Sequence, residues 1–327
     1  MLRPPNRRDL LIGGGLFLAG CDRQAATAAT PVLRVSVVGK GDGDTKVLLQ
    51  TAGIPTPGFR VNYVNFDSGH LVVEALNGRA LDYGGMSEIP PIFAAAAGLP
   101  SFRQIAVAHG DVNNQVVLVP RGSTIQDLAG LKGKRVGYVR ATTSHYFLIR
   151  MLQSVGLNWA DITPVAMNVS DGEAAFSSGR LDAWAIYGFP IQRAIATEGA
   201  RVLKTALGFL SGNYLVVAHV DALADPAKAA LIGRYLETTR QGYAWAAAHQ
   251  DAWAKVVAQQ IGVPLAYVQD QFHRKSDTYS LRPVNEAAIA SQQQVADVFF
   301  QSGLIPKRID VRPLWDTRFN TILEQKA

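Results

Sequence analysis

The chain has 327 residues, of which 48% are hydrophobic and 18% charged, with one cysteine and a formal net charge of +6. That hydrophobic share excludes a largely disordered chain, the lone thiol excludes a disulfide framework and Cys-cluster zinc or iron–sulfur sites, and the length predicts two domains or one large one. The isoelectric point is near 9.4, but the basic residues are scattered without a run of five or six like charges, which argues against a nucleic-acid partner.

Residues 1–20 read as an export signal. Arg3, Arg7 and Arg8 form a positive start, and Leu10 to Ala19 is an apolar run too short to span a bilayer. No later stretch reaches spanning length without charges, so no transmembrane helix is expected beyond the signal. Leu18-Ala19-Gly20-Cys21 resembles the bacterial lipobox, in which the cysteine is lipid-modified and becomes the mature N-terminus. An ordinary signal with a chance cysteine is the alternative. Arg7-Arg8-Asp9-Leu10-Leu11 resembles a twin-arginine export motif, and Asp22 after the cysteine implies retention at the inner membrane. Residues 21–31, rich in Ala and Thr, read as a flexible tether. Removal of residues 1–20 takes away three basic and one acidic residue and leaves a formal +4.

Beyond the tether, strands and helices alternate. Val32 to Val38 has the alternation and β-branching of a strand, followed by the Gly/Asp-rich turn Gly39 to Asp44 and a short helix from Thr45. Arg60 to Phe66 is a second strand. Asp67-Ser68-Gly69 starts a helix that Asn77-Gly78 stops. A short strand over Leu81 to Gly85 leads to Ser87, where a helix through Ala97 begins. Ile105 to Ala108 and Gln115 to Val119 are further strands. A second unit begins near Pro120, with helix 144–155, strand 163–167, helix 171–178 and strand 182–186. Val202-Leu203 and Tyr214 to His219 are extended. After Asp225, amphipathic helices are predicted near 226–248, 250–261, 264–273, 285–302 and 313–325.

This alternation predicts open α/β sheets in two units. If the C-terminal helices return to the first unit, the chain crosses twice, near Val119 and Val217. One lobe then spans 32–118 and 218–327, and the other 119–217. A ligand is expected between them, at strand C-termini and helix N-termini. The chain contains no obvious internal repeat.

Three turns carry one chemical logic. Gly41 to Thr45, Met86-Ser87-Glu88 and Thr142-Thr143-Ser144 place small or hydroxyl residues where a strand gives way to a helix. Helix N-termini present unpaired N–H groups and partial positive charge, and Ser and Thr add hydroxyl donors, so together they suit an oxyanion. The same residues also serve as plain helix caps. Phe66, Tyr146, Trp184, Tyr187 and Phe189 are aromatic candidates for the organic end of a ligand, with Trp184 and Tyr187 foremost. His145 follows Ser144 at the second-lobe turn, and Glu88 is the one acid placed at the cleft, where it could meet a ligand amine. Signatures of metalloproteases, serine hydrolases and P-loop enzymes are absent, and the six histidines lack metal-ligand spacing.

Several strings carry a family resemblance. Val38-Gly39-Lys40-Gly41 ends the first strand. Glu74-Ala75-Leu76-Asn77-Gly78 precedes Asp82-Tyr83-Gly84-Gly85-Met86-Ser87-Glu88-Ile89-Pro90-Pro91. Val119-Pro120-Arg121-Gly122-Ser123, Asp127-Leu128-Ala129-Gly130-Leu131-Lys132-Gly133-Lys134, Ser144-His145-Tyr146, Asp182-Ala183-Trp184 and Gly303-Leu304-Ile305-Pro306-Lys307 follow in order. Together they resemble the aliphatic sulfonate-binding proteins of bacterial ABC importers, within the taurine/nitrate/sulfonate group. The resemblance implies a two-lobe periplasmic-binding-protein fold of the flytrap kind, type II, with two crossovers. It implies a monomer without cofactor, held by its lipid at the periplasmic face of the inner membrane. Such a protein delivers a sulfonate or related oxyanion to a permease driven by an ATPase. It places Gly39, Lys40, Gly41, Ser87, Glu88, Thr143, Ser144, His145, Trp184 and Tyr187 at the ligand. After Trp184 the family often continues with an aromatic and an acid, where this chain has Ile186-Tyr187-Gly188-Phe189-Pro190. Taurine, nitrate, a sulfate ester or a thiamine-precursor pyrimidine are alternative ligands. A desulfinase-like enzyme is a further alternative on this fold. It needs a cysteine nucleophile and an arginine where this chain has Asp82, and the chain's one cysteine lies in the export signal.

Overall fold

Val32–Val38 forms β1, and its alternating side chains bury Leu33, Val35 and Val37 on one face. The computed structural model describes residues 30–324 apart from Pro57 and Leu99. The export signal, Cys21 and the tether through residue 29 lie outside the described residues. After β1 come α1 (Thr45–Thr51), β2 (Arg60–Phe66), α2 (Gly69–Asn77), β3 (Tyr83–Ser87), α3 (Ile89–Ala97) and β4 (Phe102–His109). A second series follows: β5 (Gln115–Val119), β6 (Arg135–Tyr138), α4 (Thr143–Ser154), β7 (Thr163–Ala166), α5 (Val169–Ser177), β8 (Ala183–Tyr187), α6 (Pro190–Glu198) and β9 (Arg201–Thr205). The chain ends with β10 (Asn213–His219), α7 (Val220–Ala224), α8 (Pro226–Ala248), α9 (Gln250–Ile261), α10 (Leu265–His273), β11 (Ser280–Arg282), α11 (Glu286–Gln301) and α12 (Asn320–Glu324). No helix among the described residues is long and apolar enough to cross a membrane.

The strands form two mixed sheets. The first has six strands in the order β11-β4-β10-β3-β1-β2, and the second has five in the order β7-β6-β8-β5-β9. In each, three neighbouring strands run parallel and the others pair antiparallel. The chain therefore leaves the first sheet between His109 and Gln115 and returns between Thr205 and Asn213. This corrects the crossovers placed near Val119 and Val217: β5 belongs wholly to the second sheet and β10 to the first. The five-residue link Gly110 to Asn114 is a polar turn like one that joins two strands of the same sheet, so its composition does not mark a crossing between sheets. The two connections are tied together, with Gly110 N–H donating to Gly212 O at 3.0 Å and His109 Nδ1 lying 3.0 Å from Asn213 Oδ1. Gly212 has φ +82°, and a Cβ there would stand 2.9 Å from the Gly110 carbonyl oxygen, so only glycine fits this close approach.

The sheets repeat a local device that was not recognised in the sequence. In the first, Asp82 accepts from the Arg34 backbone N–H and from its guanidinium, which also donates to Arg79 O. In the second, Asp182 accepts from the Arg135 backbone and guanidinium, which also donates to Gly179 O. The matching strings are Gly78-Arg79-Ala80-Leu81-Asp82 and Gly179-Arg180-Leu181-Asp182, each leading into the sheet's third parallel strand. One inserted residue and otherwise unrelated sequence hide the duplication.

Apolar clusters bind the halves at two places. Ile89 and Ile92 of α3 and Phe299 of α11 share a core with Tyr146 and Ile149 of α4. Trp253, Val257 and Ile261 of α9 form another, against which Phe189, just before α6, and Ala196 of α6 pack. The helix expected over 313–325 is instead a 3₁₀ turn at Arg312–Leu314, an extended stretch and the short α12. Trp315 bridges to Gln104 of β4 and donates its indole N–H to Gln292, and that tie interrupts the helix.

Candidate functional site

A cavity of about 240 Å³ lies among residues from both sheets and the C-terminal helices. At one wall the turn after β1 is shaped by Gly39 and Gly41, with φ +71° and +85°. Gly41 N–H donates to Gln260 Oε1 at 2.8 Å, and Asp44 caps α1 by accepting from Val47 N–H at 3.0 Å. The turn is thus fastened to α9 and presents Gly39, Lys40 and Gly41 to the cavity.

Four helices start at this cavity without a side-chain cap, but α3 and α6 begin with prolines that remove first-turn N–H groups, which leaves α2 and α4 as the open ends. Ser68 precedes α2, but its hydroxyl pairs with His70 Nδ1 at 2.9 Å and caps nothing. Gly69 lines the cavity, and a Cβ there would meet Met86 Cβ at 2.9 Å, so the start of α2 can sit this close to β3 only as glycine. Thr142 precedes α4, but its hydroxyl donates to Val139 O at 2.7 Å. Thr142 and Thr143 line the cavity from the second sheet and Ser87 from the first. Tyr187 lines it at the end of β8, and its hydroxyl has no hydrogen-bond partner among the described residues. Burial raises the Tyr187 phenol well above its ordinary range, so it stays protonated. Uncapped N–H groups and free hydroxyls converging from two sheets suit an oxyanion.

Of the residues singled out from sequence, Gly39, Lys40, Gly41, Ser87, Thr143 and Tyr187 line the cavity. Glu88, Ser144, His145 and Trp184 do not. Glu88 turns away and accepts from Ser211 Oγ at 2.6 Å and Asn213 Nδ2 at 3.4 Å, next to the second connection. Burial pushes its carboxyl up to about 7 despite those donors. Ser144 is fully buried, and its hydroxyl accepts from Val139 N–H at 3.0 Å, closing the loop before α4. His145 packs among Phe93, Tyr138, Trp159 and Phe299, and burial first, then the charge of Arg140, lowers its imidazole to about 4. Trp184 is core: a Cβ on Gly172 would stand 2.9 Å from its Nε1. All four lie close to cavity residues in sequence but face elsewhere: alternation along β8 sets Trp184 opposite Tyr187, rotation along α4 carries Ser144 and His145 into the interior, and Glu88, at the start of α3, is drawn to Ser211 and Asn213. Phe189 lines the cavity, while Phe66 and Tyr146 pack in apolar clusters. Gly188 lines it too, with φ +74°.

The sequence reading missed the rest of the lining. Asp111, Asn114 and Gln115 come from the first connection and the start of β5, Gln192 from α6 and Gln271 from α10. Tyr83, Tyr214, Tyr235, Tyr243 and Tyr279 supply an aromatic wall, with Tyr279 centred 5.7 Å from both Tyr214 and Tyr243. These tyrosines are dispersed over nearly two hundred residues, so no local spacing marks them. Among the described residues no group of His, Cys, Asp or Glu is arranged to hold a metal ion.

Comparison with known proteins agrees with this geometry. Residues 57–253 match the family described as NMT1/THI5 like. A protein of Escherichia coli (strain K12) named for aliphatic sulfonate binding is 32% identical over 257 residues, covering 78% of this chain and 79% of its own. The alkanesulfonate-binding protein SsuA of Xanthomonas axonopodis pv. citri, solved bound to MOPS, superposes with a TM-score of 0.80 at 29% identity, covering 88% of this chain and 99% of that one. The periplasmic aliphatic sulphonate binding protein SsuA of Escherichia coli gives 0.75 at 30% identity, covering 88% and 92%. The two sheets and their two connections are thus the periplasmic-binding-protein architecture expected from the sequence motifs. The chain belongs to the NMT1/THI5-like family and, within it, to the aliphatic sulfonate-binding proteins.

Proposed function

We propose that this chain captures an organosulfonate and delivers it to the permease of an ABC importer. The observation that carries this reading is the pair of uncapped helix starts, α2 and α4, that line one cavity from opposite sheets beside Ser87, Thr143 and Tyr187. A sulfonate stays ionised across physiological pH, so a site made of neutral donors holds it without a proton switch. The desulfinase reading loses support here. The residue at its arginine position, Asp82, is buried beneath Arg34 and Lys228, at 2.7 and 2.6 Å. Burial would raise this carboxyl, but those two partners outweigh it and hold it at about 2, as a structural anchor.

In this reading the halves close on the ligand by bending at the linked connections around 110–114 and 206–212. Residues 1–20 direct export, by the general or the twin-arginine route, and Cys21 carries the lipid that keeps a monomer at the inner membrane. Labelling with a lipid precursor tests the anchor: Cys21→Ala should abolish incorporation. Calorimetry of the 31–327 chain tests the function. Butanesulfonate should bind at least tenfold more tightly than nitrate, pentanoate or a pyrimidine phosphate; preference for any of these over every sulfonate overturns the proposal.

A further inference from the structure

Ala141 holds its backbone at φ +57°, in the left-handed region that is costly for a residue with a Cβ. Arg79 is the one other non-glycine residue there among the described residues, and it follows the end of α2, where left-handed caps are common. Ala141 ends no helix. It stands ahead of α4, next to Thr142 and Thr143, which both line the cavity. Backbone strain of this kind persists only where the surroundings enforce it.

Three side chains tie down the loop before α4. The Thr142 hydroxyl donates to Val139 O at 2.7 Å, and Ser144 Oγ accepts from Val139 N–H at 3.0 Å. Both of these bonds end on Val139, ahead of the strained residue. The bond to Ala141 itself comes from His145, whose Nδ1 accepts the Ala141 N–H at 3.4 Å. Accepting requires a lone pair on Nδ1, so the neutral ring carries its proton on Nε2. Nε2 is buried and has no partner among the described residues. The ring is locked by packing instead, with Tyr138 and Trp159 of the second half and Phe93 and Phe299 of the first centred 4.8 to 6.3 Å away. An imidazole with an unused N–H is a costly way to fill an apolar space. What it offers there that a phenyl ring does not is the acceptor at Nδ1.

Resting on the sulfonate reading above, we propose that His145 is a positioning residue for the anion site: its Nδ1 holds Ala141 in the left-handed conformation and so aims the open start of α4 at the sulfonate. His145 itself touches no ligand. Without it, Ala141 relaxes toward the negative φ that alanine prefers and draws Thr142 and Thr143 out of place. Glycine at position 141 keeps the positive φ unaided, so the need for His145 depends on the Cβ of Ala141.

Calorimetry with butanesulfonate tests this. His145→Leu should weaken binding about tenfold. His145→Asn, which keeps an acceptor at the place of Nδ1, should weaken it less than about threefold. The deciding comparison adds Ala141→Gly: in a chain carrying that change, the loss caused by His145→Leu should shrink to about threefold or less. A histidine that only fills space would lower urea midpoints alike in both chains and leave affinity unmoved. Unchanged affinity in His145→Leu overturns the proposal, and so does an undiminished loss beside Ala141→Gly. Where His145→Leu does not fold, His145→Asn against His145→Gln decides. The Gln acceptor sits one bond too far out, so equal affinity of these two variants overturns the positioning role. Either failure on a parent chain that binds butanesulfonate leaves sulfonate capture standing, whereas a parent chain that binds no sulfonate overturns both readings.

Discussion

Glu88 and His145 should contribute opposite and nearly cancelling slopes to stability between pH 5 and pH 8, and replacing either should tilt the profile. Burial holds the Glu88 carboxyl at about 7 in the fold against an ordinary 4.5. Its folded form binds a proton more tightly than its unfolded form, so its contribution is full below pH 4.5 and is lost as pH rises through 7. Linkage over pH 5 to 8 puts that loss at about 2.5 kcal/mol. His145 has the opposite sign. Held neutral at about 4 against 6.5, it destabilises the fold as pH drops below 6.5, and over the same interval it gains about 2 kcal/mol. The two slopes nearly cancel. Glu88→Gln should therefore become more stable by about 2 kcal/mol, relative to the parent chain, on going from pH 5 to pH 8. His145→Phe should become less stable by a similar amount. Urea unfolding midpoints at the two pH values, compared as differences from the parent, remove the titration of every other group. Parallel profiles for all three proteins would refute the assignment of these groups as buried and shifted.

Other consequences are local. Ser87→Ala and Thr143→Val should each weaken butanesulfonate binding about 3- to 10-fold in calorimetry. Ser144→Ala should leave affinity unchanged but cost about 1–3 kcal/mol in urea, because the Val139 N–H loses its buried acceptor. Asp82→Asn should destabilise by about 3 kcal/mol, since two cations lose a carboxylate that is 2% exposed. Asp182→Asn, at the equivalent pair in the second sheet, should cost under about 1 kcal/mol, because Arg135 and Asp182 are 47% and 32% exposed. Gly69→Ala should destabilise by about 1–3 kcal/mol and weaken sulfonate binding together, because the new methyl pushes the start of α2 off Met86.

What the sequence could tell followed from how local each signal was. Periodicity and turn chemistry placed β1, β2, α2 and the long α8 closely, because alternation and helix starts and stops are written within one element. The three-residue β11 escaped, since Ser280–Arg282 pairs only at the far end of β4 and owes its strand to that partner. At the site, Gly39, Gly41, Ser87 and Thr143 were legible because each sits at a strand-to-helix turn. Trp184 and Ser144 lie within three residues of the cavity residues Tyr187 and Thr143 but on the opposite face of β8 and the inner face of α4, which only the packing of those elements decides. Gln115 and the tyrosine wall carry no local mark. Tyr214 and Tyr279 meet only because β10 and the segment before β11 flank β4.

In the proposed capture mode a sulfonate is held by the open ends of α2 and α4, between the two sheets. A crystal structure of the 31–327 chain with butanesulfonate tests it most directly. Sulfonate oxygens should lie within hydrogen-bond distance of backbone N–H groups at both helix starts and of Ser87, Thr143 or Tyr187. A sulfonate bound with neither helix start within reach would contradict it.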